Sequence, residues 1–249
     1  MIGVSSPRTG TSTGADVIVA DGDDLKKRLA AKVAGLARGK ERFVVALSGG
    51  SMPKLLAGLL DEDVDWTAWD VFFADERCVP PDDADANVKA CREHLFDKIR
   101  GEGPRIHALD ATLAPAAAAE AYAAELKTCG GRFDLALLGM GPDGHTASLF
   151  PGHDAYAKPT GAVAVAVLDS PKPPAERVTF TQATLMVSRA VCFVATGAAK
   201  VPVLREILAR GDDGALAYAS PAPAYPAAQV RAADGKATWF LDSAAGAGL

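Results

Sequence analysis

Cysteine, histidine and long apolar runs are scarce in this chain, and each shortage closes a class of explanation. The four cysteines (Cys78, Cys91, Cys129 and Cys192) are scattered over 249 residues. None forms a C-x-x-C pair, and no Cys/His spacing matches a zinc site. They read as reduced thiols of a cytoplasmic protein without a metal. No apolar stretch is long enough for a membrane span. Basic residues do not dominate either: 26 Lys and Arg against 31 Asp and Glu leave a formal net charge of -5. That excludes a large electrostatic footprint for nucleic acid, so any anionic ligand must be held by a local cluster of cations. Residues 1–14 are rich in Ser, Thr and Gly and lack the apolar core of a signal peptide. They are expected to form a disordered tail, and the small residues from Ser243 to Leu249 to be loose as well.

What the chain does contain is a regular alternation. Hydrophobic residues make up 49% of it, enough for a substantial core. Runs of strand length (Asp16–Ala20, Phe43–Leu47, Val71–Phe73, Ile106–Leu109, Phe133–Leu138) are separated by helical patterns. Leu25–Leu36 is apolar at 25, 29, 33 and 36, with Asp23 and Asp24 near its start. Asn87–Ile99 and the alanine-rich Pro115–Lys127 are further helices. Ala162–Val167, Val178–Thr181, Val191–Ala195 and Trp239–Leu241 are further strands, with a helix from Ala198 to about Ala209. The rhythm predicts an α/β, Rossmann-like, mostly parallel sheet with helices on both faces, residues 15–249 forming a single domain.

Four strand ends carry unusual residues, and right-handed crossovers put them on one edge of such a sheet. The first is Ser48-Gly49-Gly50-Ser51, where free N–H groups at a helix start suit a phosphate. An ordinary glycine turn with a serine cap has the same sequence. This loop is neither a P-loop nor G-x-G-x-x-G, so a nucleotide is not the favoured ligand. The second is Asp75-Glu76-Arg77. A solvated charge run reads alike, yet its position after Phe72-Phe73-Ala74 favours a role for Arg77 as an anion-binding fork, oriented by Asp75. Asp75 could instead orient a substrate hydroxyl. The third is Thr196-Gly197-Ala198-Ala199-Lys200, whose lysine falls in a first helical turn, where a cation opposes the macrodipole unless an anion binds beside it. The fourth, Gly139 to Pro151, places Asp143 and His145 two residues apart in a glycine-rich turn. His94 and His107 receive no role, and His153 only a supporting one. No G-x-S-x-G elbow follows any strand, which disfavours an acyl-enzyme.

These blocks, in this order, resemble the glucosamine-6-phosphate isomerase/6-phosphogluconolactonase family. The resemblance rests on Leu47–Ser51, Asp75–Pro80, Leu138–His145, Ser148–Pro151, Asp169–Thr179 and Thr196–Lys200. It implies hydrolysis of 6-phospho-D-glucono-1,5-lactone to 6-phosphogluconate in the oxidative pentose phosphate pathway. His145 is then the base and Asp143 its support, with no metal or organic cofactor. A small-molecule sugar-phosphate lactone is the partner, and neither nucleic acid nor membrane is. Ser48, Gly49, Gly50, Ser51, Asp75, Arg77, Lys200 and Arg177 would hold the substrate and its phosphate, with Lys172 a further cation. We expect a monomer or weak homo-oligomer. Two alternatives stay open: an amino-sugar-phosphate deaminase, which typically has a tyrosine where Arg77 stands and an extra glutamate after the histidine motif, and a non-catalytic sugar-phosphate sensor.

Overall fold

The computed structural model describes residues 15–157, 161–210, 216–219 and 222–249. The expected N-terminal tail lies outside them. Twelve strands occur among the described residues: β1 (Asp16–Val19), β2 (Phe43–Leu47), β3 (Trp69–Phe73), β4 (Asp75–Arg77), β5 (Arg105–Ile106), β6 (Leu135–Gly139), β7 (Ala164–Val167), β8 (Arg177–Phe180), β9 (Ala190–Ala195), β10 (Leu208–Arg210), β11 (Leu216–Tyr218) and β12 (Thr238–Leu241). The main sheet has seven of them in the order β1-β12-β9-β6-β2-β3-β5. Every pairing in it is parallel.

Both faces of this sheet are buried, as the near-continuous apolar runs of its strands require. Within β2, Val44 and Ala46 point into one core, while Phe43, Val45 and Leu47 point into the other. Helix α1 (Gly22–Ala37) covers the second face with Leu25, Leu29 and Val33. The short helix α2 (Met52–Leu56) and helix α3 (Asn87–His94) pack on the same side. Helix α4 (Pro115–Thr128) covers the first face with Ala118, Tyr122 and Leu126.

The sequence expectation of a mostly parallel sheet holds for these seven strands and misses a second sheet. Strands β4, β8 and β7 pair antiparallel and form a separate three-stranded sheet. The switch happens at Ala74, whose N–H donates to Leu47 O at 2.8 Å while its carbonyl accepts from Phe180 N at 2.9 Å. The chain therefore leaves β2 as a partner and takes up β8 within one residue. Asp75-Glu76-Arg77 is a strand of its own rather than a tail on β3.

Three boundaries also differ from expectation. Helix α3 stops at His94, because buried Leu95 turns out of helical geometry and a 3-10 turn, Phe96–Lys98, follows. The helix after β9 begins as a 3-10 turn at Ala198–Lys200, runs as α5 (Val201–Ile207), and ends where Leu208 enters the hairpin β10–β11. The C-terminal Ser243–Gly246 is not loose: it is a helical turn capped by Asp242, which accepts from Ala245 N at 2.7 Å, and Ala245 is fully buried.

Chain order runs from β2 outward to β3 and β5, then returns to the other side of β2 with β6 and proceeds to β9 and β12. The carboxyl ends of β2 and β6 thus flank the point where the winding reverses, where open α/β sheets leave a crevice for ligands.

Candidate active site

That crevice is a cavity of about 410 Å³, and all four predicted strand ends line it. Ser48 to Ser51 enter from β2, Asp75 and Arg77 from β4, Gly139 to Pro142 and His145 from β6, and Thr196 and Lys200 from β9. The small sheet closes the remaining side with Lys172, Pro173 and Arg177.

The β6 loop is folded by its own backbone. Gly141 N donates to His145 O at 2.9 Å, and Gly144 N donates to Gly141 O at 3.0 Å. As a string, Gly139-Met140-Gly141-Pro142-Asp143-Gly144 fits G-x-G-x-x-G. No helix opens behind it, however, so the dinucleotide-binding context is absent. Gly141 leaves room for His145 and Asp143, since a Cβ there would stand 1.9 Å from His145 Nδ1. Ala227 N donates to Gly144 O at 3.0 Å, so the segment around Tyr225 clamps the loop from outside. Ala147, two residues after His145, holds the sparsely populated left-handed conformation at φ 49° and lines the cavity.

His145 Nδ1 lies 2.5 Å from Asp143 Oδ1, and the ring packs on Phe150 at 4.7 Å between centroids. Burial pulls the imidazole pKa down, and Lys172 adds to that, outweighing the upward pull of Asp143. The ring is therefore neutral at pH 7. Its proton belongs on Nδ1, donated to the carboxylate, which leaves the Nε2 lone pair free; Nε2 has no partner among the described residues. Lys172 Nζ sits 3.1 Å from Nδ1 and 3.5 Å from Asp143 Oδ2. Because Nδ1 already carries a proton, the first contact is a charge approach, and the lysine's bond is to the carboxylate. For Asp143, burial raises the pKa, but the His145 hydrogen bond and the charges of His145 and Lys172 bring it below the usual carboxylate value.

The anion-binding features gather on the rest of the wall. The backbone N–H groups of Gly49, Gly50 and Ser51 meet no acceptor among the described residues. Ser48 Oγ and Arg77 Nε are buried without a partner. Lys200 makes no ion pair among the described residues, and its pKa is lowered by burial and by Lys172 nearby. Unpaired donors and cations around one cavity are what a phosphate would satisfy. Ser51 occupies the position before α2 but makes no side-chain cap bond.

Two predicted residues sit in the wall with different partners from those expected. Asp75 Oδ2 accepts from Ser148 Oγ at 2.6 Å and lies 3.7 Å from Arg177 Nη1, so it orients Arg177 and Ser148 rather than Arg77. Arg177 is only 4% exposed and spends its guanidinium on the protein: Nε donates to Pro174 O, and Nη2 donates to the carbonyls of Lys172 and Pro173. Arg77 instead donates through Nη1 to Asp85 O.

The chain is similar to known proteins in sequence and in overall fold. The family described as glucosamine-6-phosphate isomerases/6-phosphogluconolactonase matches residues 20–239. The chain belongs to this family. It is 39% identical to the 6-phosphogluconolactonase of Rattus norvegicus over 90% of this chain and 88% of that one. Among solved structures, 6-phosphogluconolactonase from Trypanosoma brucei superposes with a TM-score of 0.77 at 30% identity, covering 94% of this chain and 98% of that one. The Thermotoga maritima 6-phosphogluconolactonase gives 0.76 at 30% identity, covering 92% and 99%.

The structure also places beside the cavity residues that the sequence does not single out. Glu76 is 3% exposed and accepts from the N–H groups of Arg77, Asn87 and Val88 at 2.8–2.9 Å, anchoring the start of α3. Asn87 donates to Asp75 O at 2.7 Å and presses on Gly49, where a Cβ would stand 1.8 Å from its Oδ1. An asparagine opening a helix behind an acidic triplet was the available signal. Ser148, inside the quoted motif, is the fully buried partner of Asp75. His153 pairs with Asp169 at 2.9 Å, and His107 with Asp70 at 2.7 Å at the opposite, amino edge of the sheet. No helix of the described residues is long and apolar enough to cross a membrane.

Proposed function

We propose that this protein hydrolyses 6-phospho-D-glucono-1,5-lactone to 6-phospho-D-gluconate by general-base activation of water. The observation that carries the reading is His145, paired with Asp143, in the same cavity as the unpaired donors Ser48 Oγ, Arg77 Nε, Lys200 and the Gly49–Ser51 amides. The relatives named above, called 6-phosphogluconolactonases, support the choice of substrate.

The substrate's phosphate would bind the Ser48–Ser51 loop, Arg77 and Lys200, which fixes its lactone carbon near His145. His145 Nε2 takes a proton from water as the oxygen adds to that carbon. The ring C–O bond then breaks and the ring oxygen takes the proton back from Nε2. The product is a carboxylic acid that ionises at neutral pH. Asp143 holds the ring in the tautomer with Nε2 free and stabilises the transient imidazolium. Arg177 and Asp75 act as positioning residues for the Lys172–Pro174 segment. Protein side chains and water supply every step. We assign the protein to the cytoplasm, as a monomer or weak homo-oligomer with residues 15–249 as one domain.

The deciding experiment is lactone hydrolysis by wild type and His145→Ala, corrected for the spontaneous rate. The variant should lose about 10²–10⁴-fold in kcat, the usual contribution of a general base. Near-normal turnover would remove His145 from the role, and ammonia release from an amino-sugar phosphate would move the protein to the deaminase branch. Lys200→Ala should mainly raise KM, because a phosphate bond is equally strong in ground and transition states.

A further inference from the structure

One cation in the cavity stands apart from the phosphate-binding set. Lys172 Nζ lies 3.1 Å from His145 Nδ1 and 3.5 Å from Asp143 Oδ2, beside the reacting end of the site. Its backbone is fixed in an unusual way. The buried guanidinium of Arg177 donates to three consecutive carbonyls, those of Lys172, Pro173 and Pro174, at 2.8–3.0 Å. Arg177 is itself held by Ser148 Oγ at 3.3 Å and by Asp75. A buried network of charged groups thus aims one exposed lysine at the His145–Asp143 pair. The lysine side chain remains 40% exposed, so its ammonium is free to turn toward a ligand.

A cation beside a general base is, taken alone, a handicap, since it opposes the positive charge the base acquires. It becomes an advantage if negative charge appears within its reach in the same step. Addition of water to a lactone creates that charge on the carbonyl oxygen. Within the His145 loop, Gly141 N and Gly144 N are both spent on carbonyls and cannot serve that oxygen.

We propose that Lys172 is a catalytic residue that neutralises the oxyanion of the tetrahedral intermediate, and afterwards the product carboxylate, instead of a phosphate ligand. The assignment rests on the lactonase reading above. In the resting enzyme Lys172 pairs with Asp143; as the carbonyl oxygen gains charge, the ammonium donates to it, while the water proton sits on His145 Nε2. On collapse the ring C–O bond breaks, Nε2 returns its proton to the ring oxygen, and Lys172 faces the new carboxylate.

The test compares Lys172→Met and Lys200→Met on the phosphorylated lactone and on the same lactone lacking phosphate. Lys172→Met should lose about 10²–10³-fold in kcat on both substrates with little change in KM, the range for a lost oxyanion donor. Lys200→Met should be impaired only on the phosphorylated one. Lys172→Arg, which keeps the charge, should retain more activity than Lys172→Met. The charged groups that act on the His145 ring are Asp143 and Lys172, which touch it, and Asp75 at longer range. Removing the cation among them should move the acid limb of the kcat/KM profile to higher pH, a shift that a loop-packing role would not produce. A Lys172→Met enzyme with normal kcat and raised KM on the phosphorylated lactone alone would make Lys172 a phosphate ligand and overturn the proposal. A kcat loss with an unmoved acid limb and no rescue by arginine would overturn it too. Wild-type protein that turns over neither lactone would instead defeat the lactonase reading itself.

Discussion

At Gly141 the chain runs so close to the His145–Asp143 pair that a Cβ would stand 1.9 Å from His145 Nδ1 and 2.4 Å from Asp143 Oδ1. The room left by the missing side chain at Gly141 is taken by the side chains of His145 and Asp143. Gly141→Ala should therefore separate His145 from Asp143 and cost about 10²-fold in kcat, the scale of an ångström-sized misplacement. The thermal midpoint should move little, because the backbone angle at Gly141 is open to alanine; a fully active variant would show that the pairing is dispensable. His145 itself is held below the ordinary histidine value by burial and by Lys172. A base must be unprotonated, so kcat/KM should be flat through neutrality and fall only as pH drops through a midpoint below 6.5. A midpoint above 6.5 would contradict the environment described. Asp143 and His145 were legible because they lie two positions apart in one motif. The contacts of Asp75 with Ser148 and Arg177 were not, since they join residues far apart in sequence.

At the scale of the element, Asp75-Glu76-Arg77 shows how a strand can hide in a charged triplet. Its three residues have no apolar alternation, so nothing local announces β4. What makes it a strand is its partner β8 and the buried capping role of Glu76. That carboxylate is pushed up to about 7 by burial, against three backbone N–H donors that favour its charged form. Its folded pKa lies above the value of 4.5 it has when unfolded, so the ionised group weighs against the fold. Stability from this site should accordingly decline as pH rises from about 5 through 7. Glu76→Ala should cost about 1–3 kcal/mol in urea unfolding, because it orphans buried N–H groups at the start of α3. A change below about 0.5 kcal/mol would mean that water replaces the carboxylate. Main-sheet strands such as β2 and β6, by contrast, were legible from their apolar runs. Helix ends were less so: α3 and α5 stop where tertiary packing, not a glycine or proline, takes the chain elsewhere.

Over the whole molecule, the two edges of the main sheet are charged in different ways. The carboxyl edge leaves cations unpaired around the cavity, whereas the amino edge pairs them off. There Asp70, 1% exposed, accepts from Arg42 at 2.6 Å, Arg105 at 2.9 Å and His107 at 2.7 Å. Burial alone would raise the Asp70 pKa; the three donors and the Arg42 charge bring it to about 2. A carboxylate depressed in the folded state adds stability above its unfolded value of 3.8 and loses it as pH falls toward 2. Asp70→Asn should lower the thermal midpoint at neutral pH and flatten its decline between pH 4 and 2; an unchanged acid limb would show that these pairs add nothing. The sequence by itself determined the alternation of strand and helix, the burial of both sheet faces, and the four strand ends with unusual residues, because periodicity and glycine placement are local properties. It also carried the family resemblance. Only the tertiary structure decided that β2 and β6 flank the reversal in winding, that Asp75 faces Arg177, and that Lys172 stands beside His145. Those facts follow from which segments pair across long stretches of chain, and local patterns hold no record of that.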